Sequence, residues 1–140
     1  MKNNTTYNHL IKEAEGFLSL AQKEYKKGKK NSNDKIIRQG AEKAWNATVQ
    51  ATKALAAKTG KPIPRSYNSL KLLLKETEKK NNRTLNGYPL MLAFLSFARG
   101  LHGECFYHGE YELDELDNDF EEVINFIDII KEQGSILITV

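Results

Sequence analysis

Apolar residues recur every three or four positions through most of this chain, and this spacing limits its fold more than any other feature. The stretch from about 10 to 25 is typical, because its apolar side chains fall on one face of an α-helix. Only three prolines interrupt the 140 residues, so long helices can form. The apolar face of this first helix contains Leu10, Ala14, Phe17, Leu18, Ala21 and Tyr25.

The same periodicity predicts four more helices, over about 34–59, 67–80, 86–107 and 113–133. We expect Gly28 and a polar cluster at 31–34 to end the first helix and cap the second. Two prolines at 61–65 predict an extended connection before the third helix. The residues predicted to face inward are Ile37, Ala41, Ala44, Trp45, Ala51, Leu55, Leu70, Leu73, Leu74, Leu116, Phe120, Val123, Ile124, Ile127 and Ile130.

These elements predict an all-α fold, an antiparallel up-down bundle of about five helices in one domain over 1–140. The bundle itself spans 8–132. The run at 90–95 is apolar on nearly all sides, which indicates a central helix or one shared with a second subunit. A short apolar tail at 134–140 has strand propensity, and we expect it to dock on the bundle or pair with the tail of a partner chain.

The composition excludes several classes of protein. No apolar run approaches the roughly 20 residues that a membrane-spanning helix needs, and the N-terminus lacks an apolar signal core. The single cysteine, Cys105, excludes a disulfide within the chain. We therefore expect a cytoplasmic protein without a membrane partner.

The charges are divided between the two parts of the sequence. Residues 1–83 contain 19 of the 21 Lys and Arg and 7 of the 18 Asp and Glu, a net charge of +12. Residues 84–140 contain 2 basic and 11 acidic residues, a net charge of −9. This division indicates either a basic face for nucleic acid or attraction between the two halves, within one chain or across a dimer.

The segment 97–111 contains two of the three histidines, the only cysteine and several aromatic residues. Metal-free RNA cleavage requires a base, an acid and a cation that stabilises phosphorane charge. His102 and His108 are candidates for the first two roles and Arg99 for the third. On an α-helix Arg99 and His102 share a face, whereas His108 joins them only if the helix ends near Tyr107 or a second subunit supplies it.

Each of these residues also has a structural interpretation. His102 can bond a carboxylate, such as one from the fifth helix, and Arg99 can pair with an acidic residue there. His108 can be a solvated residue at a helix end. Cys105 is of a type that is usually buried, and its spacing from His102 and His108 matches no familiar zinc site. We expect no metal and no cofactor.

A second set of residues suggests nucleotide or nucleic-acid binding. A basic turn follows the first helix, and two tyrosines near the end of the fourth helix can stack on a base. The alternatives are solvated lysines and tyrosines that pack in the core or at a dimer edge. The candidate residues are Lys26, Lys27, Lys29, Lys30, Tyr107 and Tyr111.

Two segments resemble the HEPN-domain superfamily. The stretch 41–60 combines small residues, Trp45 and a glycine ending, similar to the "A-L-L-x-x-x-G" ending of the second helix of HEPN domains. The stretch 98–110 is similar to the "L-H-x-N-F-Y-x-G" segment of the archaeal PaREP-type branch. The two motifs occur in the family's order, and the resemblance covers most of 8–132.

The resemblance implies a helical bundle that is commonly a symmetric dimer. Many members cleave RNA with an arginine and a histidine separated by four to six residues, and others bind nucleotides or pair with a nucleotidyltransferase as a toxin–antitoxin module. Here two residues separate Arg99 from His102 and eight separate it from His108. We therefore predict a homodimeric binding or regulatory module for a nucleotide, RNA or a nucleotidyltransferase-type partner, without catalysis. The alternative is a metal-independent ribonuclease with a composite site at the dimer interface.

Overall fold

The structure, a computed structural model, describes residues 2–80 and 88–139, with side chains described for 5–80 and 88–132. The elements are α1 (Lys2–Lys30), α2 (Asp34–Lys58), α3 (Tyr67–Lys80), α4 (Leu90–Phe97), a π-helix (Ala98–Tyr107) and α5 (Leu113–Thr139). This described part contains no β-strand. The prediction of an all-α antiparallel bundle is confirmed. Within the described ranges, no helix is long and apolar enough to cross a membrane.

The hairpin of α1 and α2 is the most extensive packing contact in the fold. Gly28 was expected to end the first helix, and that expectation is wrong, because α1 continues through it to Lys30. A Cβ atom at Gly28 would lie 2.7 Å from Cγ1 of Ile37, so this glycine lets α2 approach α1. The side chain of Asn33 accepts a hydrogen bond from the Ile36 N–H and caps α2, as predicted.

The core forms around α2, which contacts α1, α3, α4, α5 and the π-helix. Nearly all the residues predicted to face inward are buried. Phe17, Leu18 and Ile124 are only half-buried, while Phe126 is fully buried and was not predicted. The alanines on the inner face of α2 allow its neighbours to approach closely. Trp45 is the largest side chain that α2 buries among them.

Two predicted elements differ in the structure. The fourth helix is α-helical only as far as Phe97, and the chain then widens into the π-helix. The predicted start of that helix, at 86–87, lies outside the described residues. The apolar tail does not form the strand that its propensity suggested, because α5 continues as far as Thr139. Continued helical hydrogen bonding there outweighs the preference of β-branched residues for strands.

An ion pair between a basic residue of the first half and an acidic residue of the second joins the two halves of the sequence. Nζ of Lys29 lies 2.7 Å from Oδ1 of Asp117, so the end of α1 contacts the start of α5. The same aspartate also accepts a hydrogen bond from the hydroxyl of Tyr25 at 2.5 Å. At this contact the halves attract each other within one chain, although an exposed pair of this kind contributes at most about 1 kcal/mol.

Candidate functional site

The π-helix is fixed at its C-terminal end by one arginine of α2. Nε and Nη2 of Arg38 donate to the carbonyl oxygen of Phe106 at 3.1 and 2.8 Å, and Nη2 also donates to that of Tyr107 at 3.1 Å. Helix ends leave such carbonyl groups without partners inside the helix. Gly109 follows with φ +66°, and a Cβ atom there would lie 3.1 Å from Nη1 of Arg38. Arg38 therefore sets the position of the last π-helical residues.

One face of the π-helix lines an open cavity of about 510 Å³, which we call the aromatic cavity. Its walls come from α2, α3, α4 and the π-helix. Among the residues that the structure describes, three cations and no carboxylate line it, so it favours an anionic ligand with an apolar or aromatic part. The lining residues are Trp45, Val49, Lys53, Arg65, Ser66, Tyr67, Leu70, Leu95, Ala98, Arg99 and His102.

His102 is held in this cavity by a carboxylate of α2. Its Nδ1 lies 2.7 Å from Oε1 and 3.1 Å from Oε2 of Glu42. The structural interpretation that His102 bonds a carboxylate is confirmed, but the carboxylate comes from α2 and not from the fifth helix given as an example. In the neutral imidazole, an Nδ1–H donated to Glu42 leaves Nε2 as an acceptor, and in the protonated form Nε2 becomes a second donor. Glu42 thus fixes the ring orientation and leaves Nε2 for another group.

Arg99 also lines the aromatic cavity, and its side chain is 82% exposed. Its Nε lies 3.6 Å from Oε2 of Glu104, five residues along the same π-helix. The expectation that Arg99 pairs with an acidic residue of the fifth helix is therefore wrong. An exposed pair at this distance holds the guanidinium weakly, which leaves it able to bind an anion.

The structure brings Arg99 and His102 to one cavity but does not bring His108 there. His108 is exposed, directly follows the π-helix, and its N–H bonds the Gly103 carbonyl at 3.1 Å. Cys105 is fully buried, and burial raises the pKa of its thiol to about 12. The thiol is therefore protonated near neutral pH and is not a nucleophile. No three His, Cys, Asp or Glu side chains of the described part are grouped to hold a metal ion.

The four lysines of the basic turn lie outside the aromatic cavity. Lys29 is paired with Asp117, and the remaining lysines are exposed near the C-terminal end of α1, where positive charge is favourable. Tyr111 donates its hydroxyl to Oδ1 of Asp34 at 2.6 Å, and burial together with this bond raises its pKa to about 12. Tyr111 thus contacts the first residue of α2, whereas the lysines belong to the end of α1.

Tyr107 lies at a second opening, which we call the Tyr107 cavity, of about 530 Å³. The Tyr107 side chain is 65% exposed. Its ring meets that of His102 edge-to-face, with centroids 5.2 Å apart. The residues lining this cavity are Asp34, Lys35, Arg38, Gln39, Phe106 and Tyr107.

The opposite flank of the π-helix lines a third cavity, which we call the acidic cavity, of about 600 Å³. Gly100 lets Asp119 of α5 approach closely, since a Cβ atom there would lie 2.9 Å from its Oδ2. Burial, followed by the charges of Glu115 and Glu104, raises the pKa of Asp119 to about 6. The lining residues are Ser96, Arg99, Gly100, Glu104, Asp114, Glu115, Asn118 and Asp119.

Sequence reasoning missed Lys53, Arg65 and Tyr67, which line the aromatic cavity. It also missed Glu42, which bonds His102. These four residues lie 35 to 60 positions before His102 and share no motif with it. Glu42 and Lys53 lie within the stretch 41–60 that resembles a HEPN helix, and this resemblance was the one sequence signal near them. Only the packing of α2 and α3 against the π-helix places these groups together.

A family model, the archaeal PaREP1/PaREP8 family, matches residues 10–127. The chain belongs to this family. No curated protein and no solved structure matches it. The matched region includes every residue of the aromatic cavity, so the cavity belongs to the PaREP1/PaREP8 domain itself.

Proposed function

We propose that this PaREP1/PaREP8 protein is a binding or regulatory module whose aromatic cavity takes a nucleotide, either free or as one unit of RNA. The observation that carries this proposal is the lining: Trp45 and Tyr67 beside three cations, with no carboxylate. Aromatic faces stack on bases, and arginine and lysine bind phosphate. The HEPN kinship suggested by the sequence belongs to the same proposal.

The cations lie on three different elements. Lys53 is on α2, Arg65 precedes α3, and Arg99 is on the π-helix. Charges that converge from separate elements can surround a phosphate group, whereas a run of lysines on one solvated helix cannot. His102, when protonated, adds a donor at the same wall.

Trp45 is the only tryptophan of the chain, and it lines the cavity. Its fluorescence therefore reports on this site alone. We expect a saturable change on titration with nucleoside monophosphates, with affinity that weakens as salt increases. Lys53→Gln and Arg65→Gln should each weaken binding roughly five- to tenfold, because each removes a charge-assisted phosphate contact.

Lys75→Gln is the matched control, since Lys75 is exposed on α3 and does not line the cavity. It should leave the nucleotide affinity unchanged. A titration without saturation, or an equal loss in all three variants, would exclude nucleotide binding at this cavity.

A metal-independent ribonuclease is the second candidate, favoured by the bond between Glu42 and His102. A base that is oriented by a carboxylate, beside an arginine, is the arrangement that acyl and phosphoryl chemistry uses repeatedly. Here Nε2 of His102 would take or give the proton, and Arg99 would stabilise phosphorane charge. RNA cleavage in EDTA should then disappear in Arg99→Ala and in His102→Ala. Intact RNA with the unaltered protein would remove this candidate.

We also propose that the module is a homodimer that can engage a nucleotidyltransferase-type partner. Leu92 on α4 is 62% exposed, beside the half-buried Met91 and Leu95, which supports a contact between copies. Light scattering on the purified protein tests the dimer, and Leu92→Glu should give a monomer. A monomeric unaltered chain at micromolar concentration would contradict it.

A further inference from the structure

We propose that the Tyr107 cavity is a second base-binding subsite, so that the preferred ligand is a single-stranded oligonucleotide of two or more units. This inference rests on the proposed function, because the first unit occupies the aromatic cavity. It adds the class of ligand, which the first cavity alone does not define.

The two cavities share a wall. His102 lines the aromatic cavity, and its ring contacts both aromatic rings of the Tyr107 cavity, at centroid distances of 6.1 Å for Phe106 and 5.2 Å for Tyr107. The His102 ring also lies 6.0 Å from the ring of Trp45, which lines the aromatic cavity. One row of rings therefore connects the two openings, and a base in each would lie on either side of His102.

Tyr107 is suited to stacking because it is exposed and yet fixed. Its side chain is 65% exposed, which leaves ring surface open to a ligand. Its backbone is held by the bond from Nη2 of Arg38 to its carbonyl oxygen at 3.1 Å. A ring that is already positioned loses little freedom on binding, and base–aromatic stacking tolerates any base.

The polar groups of the second cavity also suit a nucleotide. Lys35 is an exposed cation at its rim, and the amide of Gln39 can donate to and accept from a base edge. The carboxylate of Asp34 is engaged by the Tyr111 hydroxyl at 2.6 Å and by Nη1 of Arg38 at 3.5 Å. The acidic group is thus partly neutralised at the wall, and Lys35 supplies charge for the connecting phosphate.

Two separate cavities divided by a ring require bases that are not stacked on each other. Bases in a duplex are stacked and paired, and their faces are closed to protein side chains. The arrangement therefore selects a single strand whose adjacent bases are spread apart. Recognition of this kind is typical of single-stranded regions.

The test compares the four nucleoside 5′-monophosphates with the matching 5′-phosphorylated homodinucleotides, read by Trp45 fluorescence. We expect the best dinucleotide to bind about tenfold more tightly than its monophosphate, from one additional stacked base. Tyr107→Ala should remove that gain and leave the monophosphate affinity unchanged. Tyr107→Phe should keep the gain, because it retains the ring.

The outcomes separate the two proposals. Saturable monophosphate binding with no gain for the dinucleotide would overturn the second subsite and leave the proposed function standing. Equal weakening of both ligands by Tyr107→Ala would also overturn it. Failure of every ligand to bind the unaltered protein would instead overturn the proposed function and, with it, this inference. Because Tyr107 is largely exposed, we expect the variants to fold, which thermal unfolding checks.

Discussion

The aromatic cavity and the acidic cavity lie along the same π-helix and have opposite chemistry. Three cations and no carboxylate line the aromatic cavity, whereas four carboxylates and one cation line the acidic cavity. Arg99 lines both. The difference comes from the neighbouring elements, since α2 and the 61–65 connection carry basic residues and the first turns of α5 carry acidic ones. The charge division along the sequence thus becomes a division in space.

This comparison indicates different roles for the two sides. The cations of the aromatic cavity, beside the rings of Trp45 and Tyr67, can bind a ligand that carries a phosphate group. Burial and the neighbouring carboxylates raise the pKa of Asp119, and the same negative charges repel an anionic ligand. An anion that enters the aromatic cavity would also draw Arg99 away from Glu104. The ion pair with Glu104 therefore competes with the binding of an anion in the aromatic cavity.

The largest expected effect is the loss of stability on truncation of Phe94, which packs against two aromatic residues of the aromatic cavity. Phe94 is fully buried and packs against Trp45 and Tyr67, with ring centroids 5.1 and 5.5 Å apart. Phe94→Ala should reduce the free energy of unfolding by about 3–5 kcal/mol, because it leaves a cavity in the core. Urea denaturation measures this. Ser96→Ala, at an exposed position that lines the acidic cavity, should change it by less than about 0.5 kcal/mol. Similar losses in both variants would contradict the placement of Phe94 in the core.

The acidic cavity should show a pH dependence of stability. Burial raises the pKa of Asp119 to about 6, from about 3.9 for an ordinary aspartate, so the folded state favours the protonated form. The free energy of unfolding should therefore fall as pH rises from about 4 to 6. Asp119→Asn should be more stable by about 2 kcal/mol at pH 7, with the gain absent below pH 4.

Denaturation at both pH values measures the effect, and Asp114→Asn is the control. Asp114 is exposed and lines the same cavity, so its substitution should give a much smaller gain. A gain for Asp119→Asn that is the same at pH 4 and pH 7 would show that deprotonation of this carboxyl is not the cause.

Arg99→Ala should affect binding and leave stability unchanged. Its guanidinium is exposed and only 3.6 Å from Glu104, so the fold gains little from it. We expect nucleotide affinity to fall about tenfold at unchanged melting temperature, because a charge-assisted phosphate contact is lost. Titration by Trp45 fluorescence and thermal unfolding give the two values. A large loss of stability would instead make Arg99 a structural residue.

The smallest effect should come from the partner of that arginine. Glu104→Gln removes the carboxylate that competes for Arg99 and reduces the negative charge beside Asp119. Nucleotide affinity should increase about two- to threefold, in the range of an exposed ion pair. The double variant with Arg99→Ala should show no such increase. An increase that persists without Arg99 would indicate a general charge effect.

Periodicity predicted the helices well, because each apolar stripe has one favourable way to be buried. The inward residues of the second and third helices are all buried, and the connection at 61–65 is not helical, as predicted. The π-helix was not predicted. It packs against α2, and at its C-terminal end Arg38 bonds carbonyl groups 68 and 69 positions away, contacts that no local pattern encodes.

The candidate site was predicted in part. Arg99 and His102 were identified and do line one cavity, and a carboxylate does bond His102, although it lies on α2 and not on the fifth helix that served as the example. Tyr107 was identified as a residue for stacking; it is 65% exposed, and its role in stacking stays a prediction. Lys53, Arg65 and Tyr67 were missed, since on their own helices and connection they resemble ordinary surface residues.

The sequence by itself determined the class of fold, the approximate bounds of the helices and the side of each helix that is buried. These follow from local periodicity, which every stretch of chain carries within itself. Only the tertiary structure decided which helix supplies the partner of His102 and which cations converge beside Trp45. Those groups meet because distant helices pack together, and the free energy of that packing depends on the shapes of many side chains at once.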